Sequence, residues 1–228
     1  MERFVSNGLQ PDFLPAFWCW ISRFGQAEVA LPCVLAIVLW MSWSRVRYQA
    51  GVWLALLSLA AAVTVATKLA FMGWGVGIAS LDFTGVSGHA TLSAAIWPVL
   101  SSILIARFHP AWRRAALVFG FGMAFLVACS RLALGAHSPA EAVAGFLLGS
   151  LVSGLVLGRF PSPPAPPWLS LVLLLWLIVV PAQEPLPHAQ GMISHLALRL
   201  SGHAQPFTRA HLHRQLQRVQ SFQDRLFR

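Results

Sequence analysis

The chain has 228 residues, is 57% hydrophobic and only 10% charged, and has a mean hydropathy of +0.67; a soluble domain carries about 25% charged residues. This composition, with several long apolar runs, excludes a soluble enzyme and implies a polytopic membrane protein. The net charge of +9 is uneven, with Arg199, Arg209, Arg214, Arg218, Arg225 and Arg228 in the last thirty residues, a placement that suits anionic lipid headgroups better than nucleic acid.

In chain order, residues 11–24 mix Phe13, Leu14, Phe17, Trp18, Trp20 and Ile21 with Asp12, Ser22 and Arg23. The stretch is too short for a bilayer core of about 30 Å, and its aromatics suit an interfacial helix, giving an N-terminal segment over 1–26. Spans are expected from Glu28 to Trp43, Val52 to Met72, His89 to Ala106, Ala115 to Leu134 and Pro139 to Leu157, forming a core over 27–160. A glycine-rich loop with Gly73, Gly75, Gly77 and Gly85 precedes the third span, which Pro98 should kink. Gly145, Gly149, Gly154 and Gly158 in the fifth span predict close helix packing. A proline-rich connector and a short sixth apolar run, Trp168 to Val180, occupy 161–182. In the tail, 183–228, Leu212, Leu216, Val219, Phe222 and Leu226 recur at helical spacing between arginines, predicting a basic amphipathic helix on a surface. The fold class is therefore all-α: a transmembrane bundle of five to six spans, flanked by an interfacial helix and an amphipathic tail helix. Cys19, Cys33 and Cys129 are too few and too scattered for a disulfide framework or a zinc site.

Arginines set the orientation. Arg45 and Arg47, the Arg107/Arg113/Arg114 cluster and Arg159 follow the first, third and fifth spans, so those loops should be cytoplasmic. The loops after spans two and four then face outward. A sixth span would put the basic tail outside as well, against the rule.

Those outward ends hold polar residues that a bilayer does not favour. Lys68, the single lysine, lies near the end of span two, where a charge costs about 2.5–3.5 kcal/mol. Ser87-Gly88-His89 opens span three, placing a serine at N-cap and free backbone N–H groups where an anion can bind. Ser130-Arg131 closes span four, and His137-Ser138-Pro139-Ala140-Glu141 opens span five with the signature of a capping box. Glu141, four residues beyond His137, can also reach its ring. Two cations and a helix N-terminus make an anion pocket, while two histidines and a carboxylate supply nucleophilic and acid–base groups. A metal held by His89, His137 and Glu141 is disfavoured, because Lys68 and Arg131 would repel it.

These motifs resemble those of the type 2 phosphatidic acid phosphatase family, which shows Lys-x6-Arg-Pro, Pro-Ser-Gly-His and Ser-Arg-x5-His-x3-Asp in order. Lys68 matches the first, with Gly75 and Val76 at the Arg-Pro positions. Ser87-Gly88-His89 matches the second, with Val86 for proline. Ser130-Arg131-x5-His137-x3-Glu141 matches the third, with glutamate for aspartate. The resemblance implies an integral-membrane lipid phosphatase of the bacterial inner membrane, with its site facing the periplasm or exterior and a lipid phosphate or diphosphate as substrate. It implies that His137 attacks phosphorus, Glu141 holds its ring and His89 protonates the leaving group. Lys68, Arg131, Ser87 and Gly88 would hold the phosphate oxygens, with no metal or other cofactor. A lipid phosphotransferase using the same histidine, and a catalytically weak lipid-phosphate-binding protein, are the alternatives.

Overall fold

A computed structural model describes residues 13–105, 112–160, 166–179, 188–214 and 217. It is an all-α polytopic bundle. Its helices are α1 (Phe13–Arg23), α2 (Ala27–Trp43), α3 (Arg47–Trp74), α4 (Gly88–Ile105), α5 (Trp112–Ala133), α6 (Pro139–Arg159), α7 (Pro167–Val179) and α8 (His188–Ser201). A short 3-10 turn, Ala79–Leu81, and one bridge between Ile78 and Phe83 shape the loop between α3 and α4.

Among the described residues, four stretches are long and apolar enough to cross a membrane: Leu14–Trp43, Arg47–Trp74, Trp112–Ala133 and Pro139–Arg159, with Gly88–Leu104 as a shorter apolar helix. The first joins α1 and α2 across a turn at 24–26. The expected interfacial helix is present as α1, but it is more than a surface element, since Ile21 and Ser22 are buried. Of the sixth apolar run the structure describes α7, 13 residues or about 20 Å at 1.5 Å per residue. The connector at 161–165 and residues 180–182 lie outside the described residues.

The polarity of the bundle follows from lipid as solvent. Leu31, Leu35 and Leu39 on α2 and Leu147, Leu151 and Leu155 on α6 face outward, while Ala90, Ala94, Ala95, Ser93 and Ser101 of α4 are buried. Small residues inside let backbones approach where hydrocarbon provides no hydrophobic drive between helices. Helix α4 is the central strut. Gly145 and Gly149 of α6 rest on it; a Cβ at Gly145 would lie 2.5 Å from the Ser87 carbonyl, and one at Gly149 would collide with the Thr91 carbonyl. Gly154 and Gly158 do not share this role, because each faces open space. On its other side, α4 packs Pro98 and Ser101 against Gly120 of α5. Side-chain hydrogen bonds pin the register: Trp53 Nε1 donates to Ala95 O (3.2 Å), Trp97 Nε1 to Phe24 O (3.2 Å) and Ser101 Oγ to Ala116 O (2.8 Å).

Because α3, α4, α5 and α6 alternate in direction, the end of α3, the start of α4, the end of α5 and the start of α6 meet at one end of the bundle. Arg47, Arg113 and Arg159 gather at the other, where Arg113 Nη2 donates to Leu157 O (3.1 Å).

The described part of the tail docks on the bundle, and residues 209–214 are helical at the start of the expected tail helix. Helix α8 packs on α3, with Ala197 fully buried and the Ala197 carbonyl and Ser201 against Gly73. Residues 203–213 then fold over the loop that follows α3. His203 Nδ1 bonds Gly73 O (2.9 Å) and Phe207 N donates to Met72 O (2.9 Å). These are carbonyls that the end of a helix leaves without intrahelical partners. Leu212, expected on a lipid-facing stripe, is buried against Gly77. Leu216, Val219, Phe222 and Leu226 lie outside the described residues. Glycine at 73, 75 and 77 is what allows this seat. Phe207 lies over Gly75, whose φ of +71° also favours glycine.

Candidate active site

The site is built on the start of α6. Ser138 is the N-cap, Pro139 follows it, and the capping box is complete: Glu141 N donates to Ser138 Oγ (3.4 Å) and Ser138 N donates back to Glu141 Oε2 (3.0 Å). This bond turns the glutamate toward His137, whose Nδ1 lies 2.7 Å from Glu141 Oε2. The Glu141 side chain is 0% exposed. Five donors make that burial tolerable: Thr84 N (2.7 Å) and Thr84 Oγ1 (2.5 Å) on Oε1, and His137 Nδ1, Ser138 N and Arg209 Nη2 (2.9 Å) on Oε2. A buried carboxylate without such partners would be strongly disfavoured.

An acceptor-only carboxylate settles the histidine tautomer, because Nδ1 must carry the proton and Nε2 keeps its lone pair. Burial holds the His137 imidazole below its usual value. The hydrogen bond to Glu141 opposes this, and the charges of Lys68 and Arg131 reinforce it. The ring is therefore neutral near pH 7.

The second wall is the start of α4. Ser87 N donates to Glu141 O (3.1 Å) and Val86 N to Thr67 Oγ1 (3.1 Å), so the loop is tied to both α6 and α3. Gly85 lies flat on Lys68, where a Cβ would come within 3.2 Å of the lysine backbone. The Ser87 carbonyl accepts from Thr91 N (3.0 Å) as an N-cap carbonyl does. Its hydroxyl does not cap the helix; Ser87 Oγ is buried with no protein partner. Arg131 Nε is also buried and unpartnered, while Arg131 Nη1 is held by Ser22 Oγ (2.5 Å). Buried polar atoms are rarely left so, and both belong to the cluster formed by Lys68, His89, Arg131 and His137. The charges of Arg131 and Lys68 both reach His89.

The structure thus brings together the seven residues that the sequence singled out: Lys68, Ser87, Gly88, His89, Arg131, His137 and Glu141. It adds three more, Ser22, Thr84 and Arg209. Arg209 also pairs with Asp82, which His213 Nε2 contacts at 3.1 Å. Partial burial of Arg209 is outweighed by its hydrogen bonds to Asp82 and Glu141, which hold its guanidinium above the usual value. In the sequence, the one hint of a docking tail was the alternation of glycine at 73, 75 and 77.

Comparison with known proteins bears on the family and the fold. The profile of the PAP2 superfamily matches residues 79–162. The chain is 39% identical over 206 residues to an uncharacterized 22.5 kDa protein in the cps region of Klebsiella pneumoniae, covering 87% of this chain and 98% of that one. Its fold is similar to the crystal structure of a transmembrane PAP2 type phosphatidylglycerolphosphate phosphatase from Bacillus subtilis. That match has a TM-score of 0.52 and 22% identity, and covers 66% of this chain and 78% of the other.

Proposed function

This chain belongs to the PAP2 superfamily, and we propose that it is a membrane lipid phosphatase working through a phosphohistidine without a metal. The observation that carries the reading is the His137–Glu141 contact of 2.7 Å on a carboxylate with no exposure. It supports a ring protonated at Nδ1, which leaves the Nε2 lone pair free to act as the nucleophile. In the first step Nε2 forms a bond to the terminal phosphorus as the bond from that phosphorus to the leaving oxygen breaks (the lipid alcohol's in a monophosphate, the bridging oxygen in a diphosphate), and His89 gives that oxygen its proton. In the second step His89 takes a proton from water, the water oxygen bonds phosphorus, and the bond from phosphorus to Nε2 breaks to release inorganic phosphate. Lys68, Arg131, Ser87 Oγ and the Gly88 N–H hold the phosphate oxygens and the charge that builds on them. A phosphate dianion among Lys68, Arg131 and His89 also supplies the negative charge that an imidazolium needs there.

The substrate is a glycerolipid or polyprenyl phosphate or diphosphate, reached from the outer leaflet of a bacterial inner membrane. The arginines at the opposite end of the bundle support that orientation. The test uses detergent-purified protein with phosphatidic acid, phosphatidylglycerolphosphate and a polyprenyl diphosphate, with and without EDTA, beside His137→Ala. Phosphate release that survives EDTA and disappears in H137A is expected. Release that needs a divalent ion, or persists in H137A, refutes the mechanism, and transfer to an acceptor lipid would assign a phosphotransferase.

A further inference from the structure

The C-terminal segment sits in the site without any role in the chemistry above. Residues 203–213 are fastened along the loop after α3 by His203 on Gly73 O, Phe207 N on Met72 O, Phe207 over Gly75 and Leu212 over Gly77. At the centre of this strap Arg209 reaches inward. One amino group, Nη1, meets the carbonyl and carboxylate of Asp82, and the other, Nη2, meets Glu141 Oε2 at 2.9 Å and Thr84 Oγ1 at 3.5 Å. The arginine does not displace the histidine, because Oε2 accepts from His137 Nδ1 at 2.7 Å in the same arrangement.

We infer that Arg209 is a positioning residue: delivered by the C-terminal strap and aimed by Asp82, it fixes the Glu141 carboxylate and through it the orientation of His137. The inference rests on the phosphatase reading for its catalytic consequence, but not for the contact itself. Three neighbours on one oxygen leave the carboxylate little freedom to rotate, and a rigid acceptor holds the ring in one plane. Arg209 also balances the carboxylate. Without it, Glu141 would favour an imidazolium at His137 more strongly, against the charges that face the ring from Lys68 of α3, Arg131 of α5 and, when protonated, His89 of α4.

The experiment uses the full chain in detergent with phosphatidic acid as the probe. It compares Arg209→Gln, Arg209→Lys and Asp82→Asn with Arg214→Gln, an exposed arginine whose recorded bond is to the Ala210 carbonyl. R209Q should lower kcat about 10- to 100-fold, the scale for a misaligned reacting group, with little change in KM. The acid limb of its pH profile should move to higher pH. R209K should recover part of kcat, D82N should lose several-fold, and R214Q should match the wild type. Independent of turnover, NMR of histidine-labelled protein should show His137 titrating at higher pH in R209Q. Unchanged kcat and unchanged His137 titration in R209Q overturn the inference, as does a rise in KM alone, which would make Arg209 a substrate contact. If R209Q does not fold, D82N with wild-type kcat overturns it. Wild-type protein inactive on every lipid phosphate would instead refute the phosphatase reading, leaving the histidine titration to decide on Arg209.

Discussion

Restoring the aspartate of the family motif by Glu141→Asp should impair this protein. The substitution removes one methylene, about 1.5 Å of reach, from a side chain that is fully buried and fixed at both oxygens. His137 Nδ1 and Thr84 N lie at 2.7 Å on opposite oxygens. Withdrawing the carboxylate by that length puts both past about 3.5 Å, beyond hydrogen bonding. Hydrogen bonds to charged groups contribute about 1.5–3 kcal/mol each, so losing two destabilises the fold by about 3 kcal/mol or more. The loss at His137 alone corresponds to roughly a 10- to 150-fold fall in kcat. Thermal unfolding in detergent reads the first effect and steady-state phosphate release the second. E141D with wild-type unfolding temperature and wild-type kcat would refute the argument, since it would mean that α6 shifts freely to close the gap. That freedom is incompatible with Gly145 and Gly149 resting on α4.

The glycines of α6 supply a second, paired prediction. Gly149→Ala should destabilise by about 1–3 kcal/mol through overpacking on Thr91, whereas Gly154→Ala, in open space, should be neutral or stabilising by up to about 1 kcal/mol; unfolding temperatures check both. The third concerns pH. Burial lowers the His137 value, so the acid limb of kcat/KM should fall below the ordinary histidine value of about 6.5. The sign for stability is the same. Below about 6.5 the unfolded chain takes up a proton that the folded site resists, so the stability contribution is complete above that pH and is lost as pH falls toward the folded value. An acid limb above 6.5 would contradict a buried neutral nucleophile.

What could be read from the sequence divides along physical lines. His137, Ser138, Pro139 and Glu141 lie within five residues, so helical geometry alone placed the ring on the carboxylate and closed the capping box. The cluster of Lys68, the Ser87-Gly88-His89 turn, Arg131 and His137 followed from charge being costly at span ends and from alternating helix direction. Packing partners were less accessible. Periodicity found four glycines in α6 but did not distinguish the two on α4 from the two facing outward, since that depends on where α4 lies. Ser22, Thr84 and Arg209 escaped notice because their partners are 109, 57 and 68 residues away. Serine, threonine and arginine are also unremarkable in an interfacial helix, a loop and a basic tail.

The position of Arg209 also removes the conflict between the basic tail and the orientation rule. Arginines set topology mainly within about 15–20 residues of a span end and in short loops. Arg45, Arg47, Arg113, Arg114 and Arg159 lie within that window, and Arg209 lies well past it, beyond α7 and the whole of α8. It is also matched by Asp82 and Glu141 instead of lying open to an anionic surface. A tail arginine at the site end therefore does not argue against a site on the outer face. The acidic residues that receive it occur in the loop before α4 and at the start of α6, the two elements that frame the candidate site. The strap and the pocket thus share their anchoring groups, and a change in one is expected to be felt in the other.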